Sequence, residues 1–243
     1  MGSIKKPKFI QRIKELEQIG FIGAFDKKDI ILNVGKTIAF CGKRTLIVDA
    51  TSLQRLKYIV PSTQNGNTPT YVSEYQGMDV ALGFMNLMQI QTYLGKQLDY
   101  DFVLVDTDNA QTMNSFMVPK MKRVFFCTSY DIYDTRRGAE LLRFVQTPLR
   151  ITKLVISPDL SAPQKDLLNN IIKKMPTISW ADEQVIIADE MADRRNTLEN
   201  QLTNRLLMKK YTENYKAGIE YTAALSADGI IDQSQIRRAL AKL

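Results

Sequence analysis

Residues 33–49, Asn33-Val34-Gly35-Lys36-Thr37-Ile38-Ala39-Phe40-Cys41-Gly42-Lys43-Arg44-Thr45-Leu46-Ile47-Val48-Asp49, set a helix, a glycine turn and a buried strand in succession. Helical apolar spacing runs from about Ile30 to Cys41, and Gly42 stands where a helix-terminating glycine belongs. Lys43 to Asp49 is a short apolar strand with a carboxylate at its C-terminal end. Gly35-Lys36-Thr37 looks like the end of a phosphate-binding loop, but it falls inside the helix. Between Thr37 and the turn there is room for about one turn at roughly 3.6 residues per turn. Gly35-Lys36-Thr37 therefore does not open this helix, and a loop that does lies upstream of Ile30.

The same alternation extends both ways. Upstream, Lys5 to Gln18 carries one apolar stripe at helical spacing, and Ile19 to Phe25 reads as a buried strand. A polar break at Asp26–Asp29 separates that strand from the helix. Downstream, Pro61–Pro69 is a surface loop, and Thr70–Phe84 is strand-like with an interruption at Gly77. Helices are expected at Asn86–Leu98, Asp134–Val145 and Ala162–Lys174, and strands at Asp101–Asp106, Val124–Thr128, Ile151–Ser157 and near Val185–Ile187. From Asn196 to Leu225 the pattern is helical throughout; Asp228-Gly229 is a turn, and Asp232 or Ser234 caps a last helix. Nearly continuous apolar strands between amphipathic helices indicate an α/β fold, a mostly parallel, doubly wound sheet with helices on both faces and a helical C-terminal tail. The expected division is an N-terminal amphipathic helix over 1–18, an α/β domain over 19–190 and a helical extension over 191–243 packed on it.

Bulk composition narrows the chemistry. The 243 residues are 44% hydrophobic and 24% charged, enough for one large domain, and no apolar run is long enough for a transmembrane helix. The chain has no histidine, which removes Ser-His-Asp and Cys-His catalysis, and its two cysteines, Cys41 and Cys127, are not at metal-ligand spacing. They read as buried thiols of a reduced, cytoplasmic compartment. The net charge of +7 suits solubility, and also attraction to nucleic acid or anionic lipid. Arginine pairs at 136–137, 194–195 and 237–238 are candidates for phosphate contact, with a solvated surface as the alternative. The last helix, with Ile236, Leu240 and Leu243 beside Arg237, Arg238 and Lys242, and the first, with Lys5, Lys6, Lys8 and Phe9, are weak candidates for membrane contact. Thr70 to Asp79 mixes aromatic and polar residues, as both a partner surface and ordinary strand packing do.

In an open α/β sheet, ligands bind beyond the C-terminal strand ends, where Asp26, Asp49 and Asp106 fall. With these pieces in order, three segments resemble the MinD/ParA family of deviant Walker A P-loop ATPases. Asn33–Asp49 is similar to its first helix, Gly-Lys turn and second strand; Tyr100–Asp108 (YDFVLVDTD) to the strand ending in the Walker B aspartate; and Arg123–Leu142 to the next strand and helix. The resemblance covers about residues 19–190. It implies ATP and Mg²⁺ as cofactors, Gly23, Lys27, Asp49 and Asp106 as nucleotide-binding residues with Asp106 at the metal, and a homodimer.

The resemblance puts the phosphate loop, counted back from the Gly-Lys turn without gaps, at Gly23-Ala24-Phe25-Asp26-Lys27-Lys28-Asp29, and this loop departs from the family pattern Lys-Gly-Gly-x-Gly-Lys-Thr. Gly23 and Lys27 match; Ile22 replaces the signature lysine, Ala24 and Asp26 replace glycines, and Lys28 replaces the Mg²⁺-binding hydroxyl. Phosphate must approach backbone N–H groups closely, so lost glycines weaken the loop, and an aspartate repels phosphate. Asp49-Ala50-Thr51 also departs from the family's Asp-x-Asp. The expectation is a non-canonical relative that positions or recruits a secretion or pilus machine, in the manner of the TadZ/CpaE-type localisation proteins, or a DNA-segregation element. It would dimerise and dock protein partners in the cytoplasm, with recruitment to the membrane or cell pole, and bind nucleotide weakly or not at all. An active ATPase with a variant loop and a basic DNA-binding accessory are the alternatives.

Overall fold

The computed structural model describes residues 16–61, 69–157 and 167–243. Eight strands form one sheet: β1 (Glu17–Ile22), β2 (Thr45–Asp49), β3 (Tyr71–Tyr75), β4 (Met78–Leu82), β5 (Phe102–Thr107), β6 (Arg123–Thr128), β7 (Leu149–Ser157) and β8 (Ile178–Ala188). Their order is β3-β4-β2-β5-β1-β6-β7-β8. All neighbours are parallel except β3 and β4, which form an antiparallel hairpin at one edge. Each central strand sends alternate residues to opposite cores. Phe102 and Leu104 of β5 join one cluster while Val103 and Val105 join the other. That is why these strands read as apolar runs without alternation.

The first core lies under α1 (Lys28–Phe40), α7 (Glu213–Ala227) and α8 (Gln233–Lys242), through residues such as Ile31, Ile38, Ile219 and Ile236. The second lies under α2 (Leu87–Leu94), α3 (Ala110–Ser115), α4 (Ile132–Leu142) and α5 (Leu167–Ile172), through residues such as Ile90, Met113, Leu141 and Ile172. Side-chain caps start several helices: Asn86, Asn109, Asp131, Thr212 and Asp232 each accept backbone N–H groups of the first turn. α6 (Met191–Thr203) runs from the end of β8, and α7 packs on α1 and β8.

Several sequence expectations are corrected. The N-terminal helix lies outside the described residues up to residue 15, and Glu17 and Gln18 are already strand, paired with Phe102 and Val103. Thr70–Phe84 is two strands, because Gln76 (φ 56) and Gly77 (φ 83) turn the chain between them. β8 is not a short strand but 11 residues, with a register shift where β7 passes from Ile151 to Lys153. The helical tail is broken between Asn204, a left-handed C-cap, and Thr212. In that break Leu206 and Met208 are buried, and Met208 N donates to Leu243 O (3.0 Å). α3 was not expected. Residues 62–68 of the expected loop and 162–166 of the expected helix lie outside the described residues.

Candidate functional site

The parallel registers place Asp49 of β2 directly beside Asp106 of β5, and Phe21 of β1 on the other side of Asp106. The three strands stop together, and the chain leaving β1 crosses over their ends before entering α1. Gly23 begins that crossing at φ +130, and a Cβ there would fall 2.2 Å from Cys127 O. Glycine is required at this point by both the dihedral and the close backbone approach. The upstream loop is thus where the spacing put it, between β1 and α1. Gly35-Lys36-Thr37 lies in the body of α1, with Thr37 Oγ1 donating to Asn33 O (2.7 Å) and Lys36 Nζ to Gln76 O (2.5 Å).

The loop is closed by its own side chains. Lys27 is 2% exposed, and its ammonium donates to Gly23 O (2.9 Å) and Phe25 O (3.2 Å). It also lies 2.9 Å from Asp106 Oδ1, in a buried ion pair. Two of these contacts are hydrogen bonds and the third is an ion pair, and among the described residues Asp106 Oδ1 is buried without a hydrogen-bond donor of its own. Asp49 is committed too. Its Oδ1 accepts from Thr51 N (3.1 Å) and Thr51 Oγ1 (2.6 Å), and its Oδ2 from Leu56 N (3.0 Å).

Asp26 holds the position where α1 would draw an external anion. Its Oδ1 accepts from Lys28 N (3.3 Å), an N–H of the helix N-terminus, and its Oδ2 lies 2.9 Å from Lys28 Nζ and 2.5 Å from Arg55 Nη1. A helix N-terminus with two cations is an anion site, and here the anion is a side chain. Asp29 also pairs with Lys28 (2.9 Å). Beside this cluster, Asp108 accepts from Ser52 N (2.8 Å) and Ser52 Oγ (2.9 Å), tying the segment after β2 to the segment after β5. A cleft of about 150 Å³ remains, lined by Asp26, Lys27, Asp49, Arg55, Asp106 and Tyr133 among others.

The electrostatics follow from burial. Desolvation pushes the Asp106 carboxyl up to about 7; the Lys27 ammonium opposes this and Asp49 adds to it. Burial alone would lower Lys27, but Asp106, Cys127 and Asp108 together outweigh it and hold the ammonium above its ordinary value. Burial raises Asp49. Asp26 resists its own desolvation and lies below the usual carboxylate range, because Lys28 and Arg55 stabilise its charge.

All four expected residues, Gly23, Lys27, Asp49 and Asp106, are brought together. The Asp106 oxygen that would face a cation faces an ammonium, position 28 offers no hydroxyl, and Asp26 holds the anion seat. Among the described residues no cluster of three or more His, Cys, Asp or Glu could hold a metal. Two members escaped sequence reasoning. Asp26 was counted as a loss of glycine rather than an internal anion, and Arg55, 29 positions away, carries no local signal. The Thr51–Asp49 contact was not anticipated either, although a carboxylate that binds the backbone two residues on is a common local pattern.

Tyr71 and Tyr75 are buried in the core, so the hairpin tyrosines pack. Ile236, Leu240 and Leu243 are likewise buried, so the stripe of α8 is spent on the domain and is not presented to a membrane. The pairs Arg136–Arg137 and Arg237–Arg238 lie on helices over opposite faces of the sheet and do not converge. No helix among the described residues is long and apolar enough to cross a membrane.

Neither a family model nor a curated protein matches the sequence. Solved structures do. A ParA family ATPase from Chlorobium tepidum superposes with a TM-score of 0.60 at 14% identity, covering 87% of this chain and 99% of that one. The MinC:MinD cell division protein complex of Aquifex aeolicus gives 0.60 at 13%, covering 89% and 98%. MinD complexed with Mg-ADP from Pyrococcus horikoshii gives 0.56 at 14%, covering 89% and 98%. At these identities the likeness establishes the fold, and the chain has the MinD/ParA-type P-loop fold.

Proposed function

We propose that this chain is a non-canonical MinD/ParA-like protein that positions or recruits an assembly by dimerising and docking protein partners, with nucleotide binding weak or absent. The assembly is a secretion or pilus machine, as for TadZ/CpaE-type localisation proteins, or a DNA-segregation element, met in the cytoplasm at a membrane or cell pole. The observation that carries this reading is the loop filled from within: Asp26 on Lys28 and Arg55, and Lys27 on Asp106. An incoming phosphate would have to displace Asp26 and draw Lys27 from a buried pair. Breaking such a pair costs about 3 kcal/mol or more, roughly a hundredfold in affinity. Where nucleotide does bind in this fold, as the Mg-ADP and AMPPNP complexes of its structural neighbours record, the phosphate loop must be free to receive it.

The rival reading, an ATPase with a variant loop, draws on the retained Lys27 and on a loop of the right position. Thermal melting with Mg·ATP separates the two. We expect no shift for the wild type at millimolar nucleotide, and a measurable stabilisation for Asp26→Gly combined with Lys28→Thr, which empties the anion seat and restores the hydroxyl. Micromolar binding by the wild type that Lys27→Ala abolishes, together with turnover, would defeat the proposal.

A further inference from the structure

Helix α6 is amphipathic the wrong way round. Its inward residues are polar: Asp193 is fully buried and accepts from Thr212 N (2.8 Å) and Thr212 Oγ1 (2.9 Å), and Asn200 donates to Leu207 O (3.2 Å). Its large apolar residues face out. Met191 is 88% exposed, Leu198 60% and Leu202 86%. Spacings of seven and four put these three on a single stripe. A surface helix ordinarily buries its apolar stripe, and no described residue covers this one.

Beside the stripe lies a cavity of about 410 Å³ between α6, the start of α1 and the ends of β7 and β8, with Phe25, Ile156, Ile187 and Leu198 among its walls. We propose that this face docks an acidic amphipathic helix of a partner protein, whose apolar side chains cover Leu198 and Leu202 and enter the cavity. The proposal rests on the docking role above and gives that role a surface.

Charge selects the occupant. Residues 191–210 hold five basic and two acidic side chains, whereas the cavity, lined by Asp26, Asp29 and Asp189 with Lys28 and Arg194, takes the apolar side chains and leaves the charge match to the helix face around it. Asp193 is held by Thr212, Glu199 pairs with Lys210 and Arg194 with Asp189, while Arg195 on α6 and Arg205 and Lys209 in the segment after it are exposed. A second copy presents the same positive face and is repelled. The chain's own first 15 residues carry five basic side chains and one acid, so they are poorly matched too. Nucleic acid would meet the arginines but leave three large apolar side chains against phosphates. A membrane surface cannot enter a concavity, whereas a helix can place side chains in it.

The test uses the full chain and a fluorescently labelled synthetic helix with leucines at i, i+3, i+4 and i+7 and glutamates elsewhere. A copy with lysines for the glutamates, and phosphatidylglycerol vesicles, serve as controls. Anisotropy should show the glutamate helix binding and the lysine helix not. Leu198→Ser with Leu202→Ser should weaken binding by about tenfold or more, and Arg195→Glu with Arg205→Glu should transfer preference to the lysine helix. Both variants keep the wild-type melting temperature and response to Mg·ATP, so a failure of the nucleotide reading would show separately.

The proposal is overturned if neither helix binds, or if the serine variant binds the glutamate helix as well as the wild type. It also falls if the serine changes abolish vesicle flotation without any helix binding, which would assign the face to lipid. A dimer seen by light scattering that the serine variant converts to monomer would assign the face to a second copy.

Discussion

Asp106 gives the site a pH signature. Its carboxyl is raised to about 7 in the folded chain, against an ordinary value of 3.8. The native state therefore holds a proton through a range in which the unfolded chain has released it. By linkage, Asp106 makes the fold less stable as pH rises from about 4 to about 7. Urea unfolding of the wild type and Asp106→Asn should show the stability difference moving in the variant's favour between pH 5 and pH 8; a constant difference would mean that burial does not hold the proton. Two glycines offer a second contrast. At Gly23 a Cβ meets the backbone oxygen of Cys127 at φ +130, so Gly23→Ala should lose several kcal/mol, about 3 or more. At Gly35 the Cβ meets the ends of flexible side chains, Ile47 Cδ1 (2.8 Å) and Met78 Sδ (2.9 Å), and alanine gains about 1 kcal/mol in helix propensity. Gly35→Ala should therefore melt within a few degrees of the wild type. The glycine that looks like a motif is dispensable, and the one that does not is required.

At the scale of elements, the sequence was most legible where burial is symmetrical. Asp101–Asp106 and Val124–Thr128 are covered on both faces, so their apolar runs announce them. β8 was foreshortened because its middle, Ala181-Asp182-Glu183-Gln184, lies exposed or half-buried at the last position of the sheet. α3 escaped because six residues carry less than two turns of periodicity, and its signal is the single cap Asn109. The tail was read as one helix because Leu206, Met208 and Tyr211 continue its apolar content while Asn204 breaks the backbone at φ 51. The candidate site divides the same way. Gly23, Lys27, Asp49 and Asp106 came from the family resemblance, with Asp49 and Asp106 also standing at strand ends, whereas the Asp26–Arg55 contact depends on how the segment after β2 folds back. The cap of α8 was legible, and Asp232 forms a capping box with Gln235. Asp232→Ala should cost about 1 kcal/mol in urea unfolding, and a neutral result would show that the last helix is held by its core stripe alone.

For the whole molecule, the two-faced sheet disperses the positive charge. Among the described residues the arginine pairs of α4 and α8 lie on helices over opposite faces, so these two pairs do not add up to one duplex-tracking surface. Affinity for random duplex DNA should fall only shallowly with salt between about 50 and 200 mM, and a steep slope in filter binding would show a converged basic surface. The β7–β8 register shift has a consequence of another kind. It sets Ala181, Asp182 and Glu183 against the single residue Thr152 of β7, in the last strand of the sheet. An interrupted ladder bearing two carboxylates is a poor template for another chain's backbone. Molecules of this protein can be brought to high local concentration without zippering sheet to sheet, so that the crowding stays reversible.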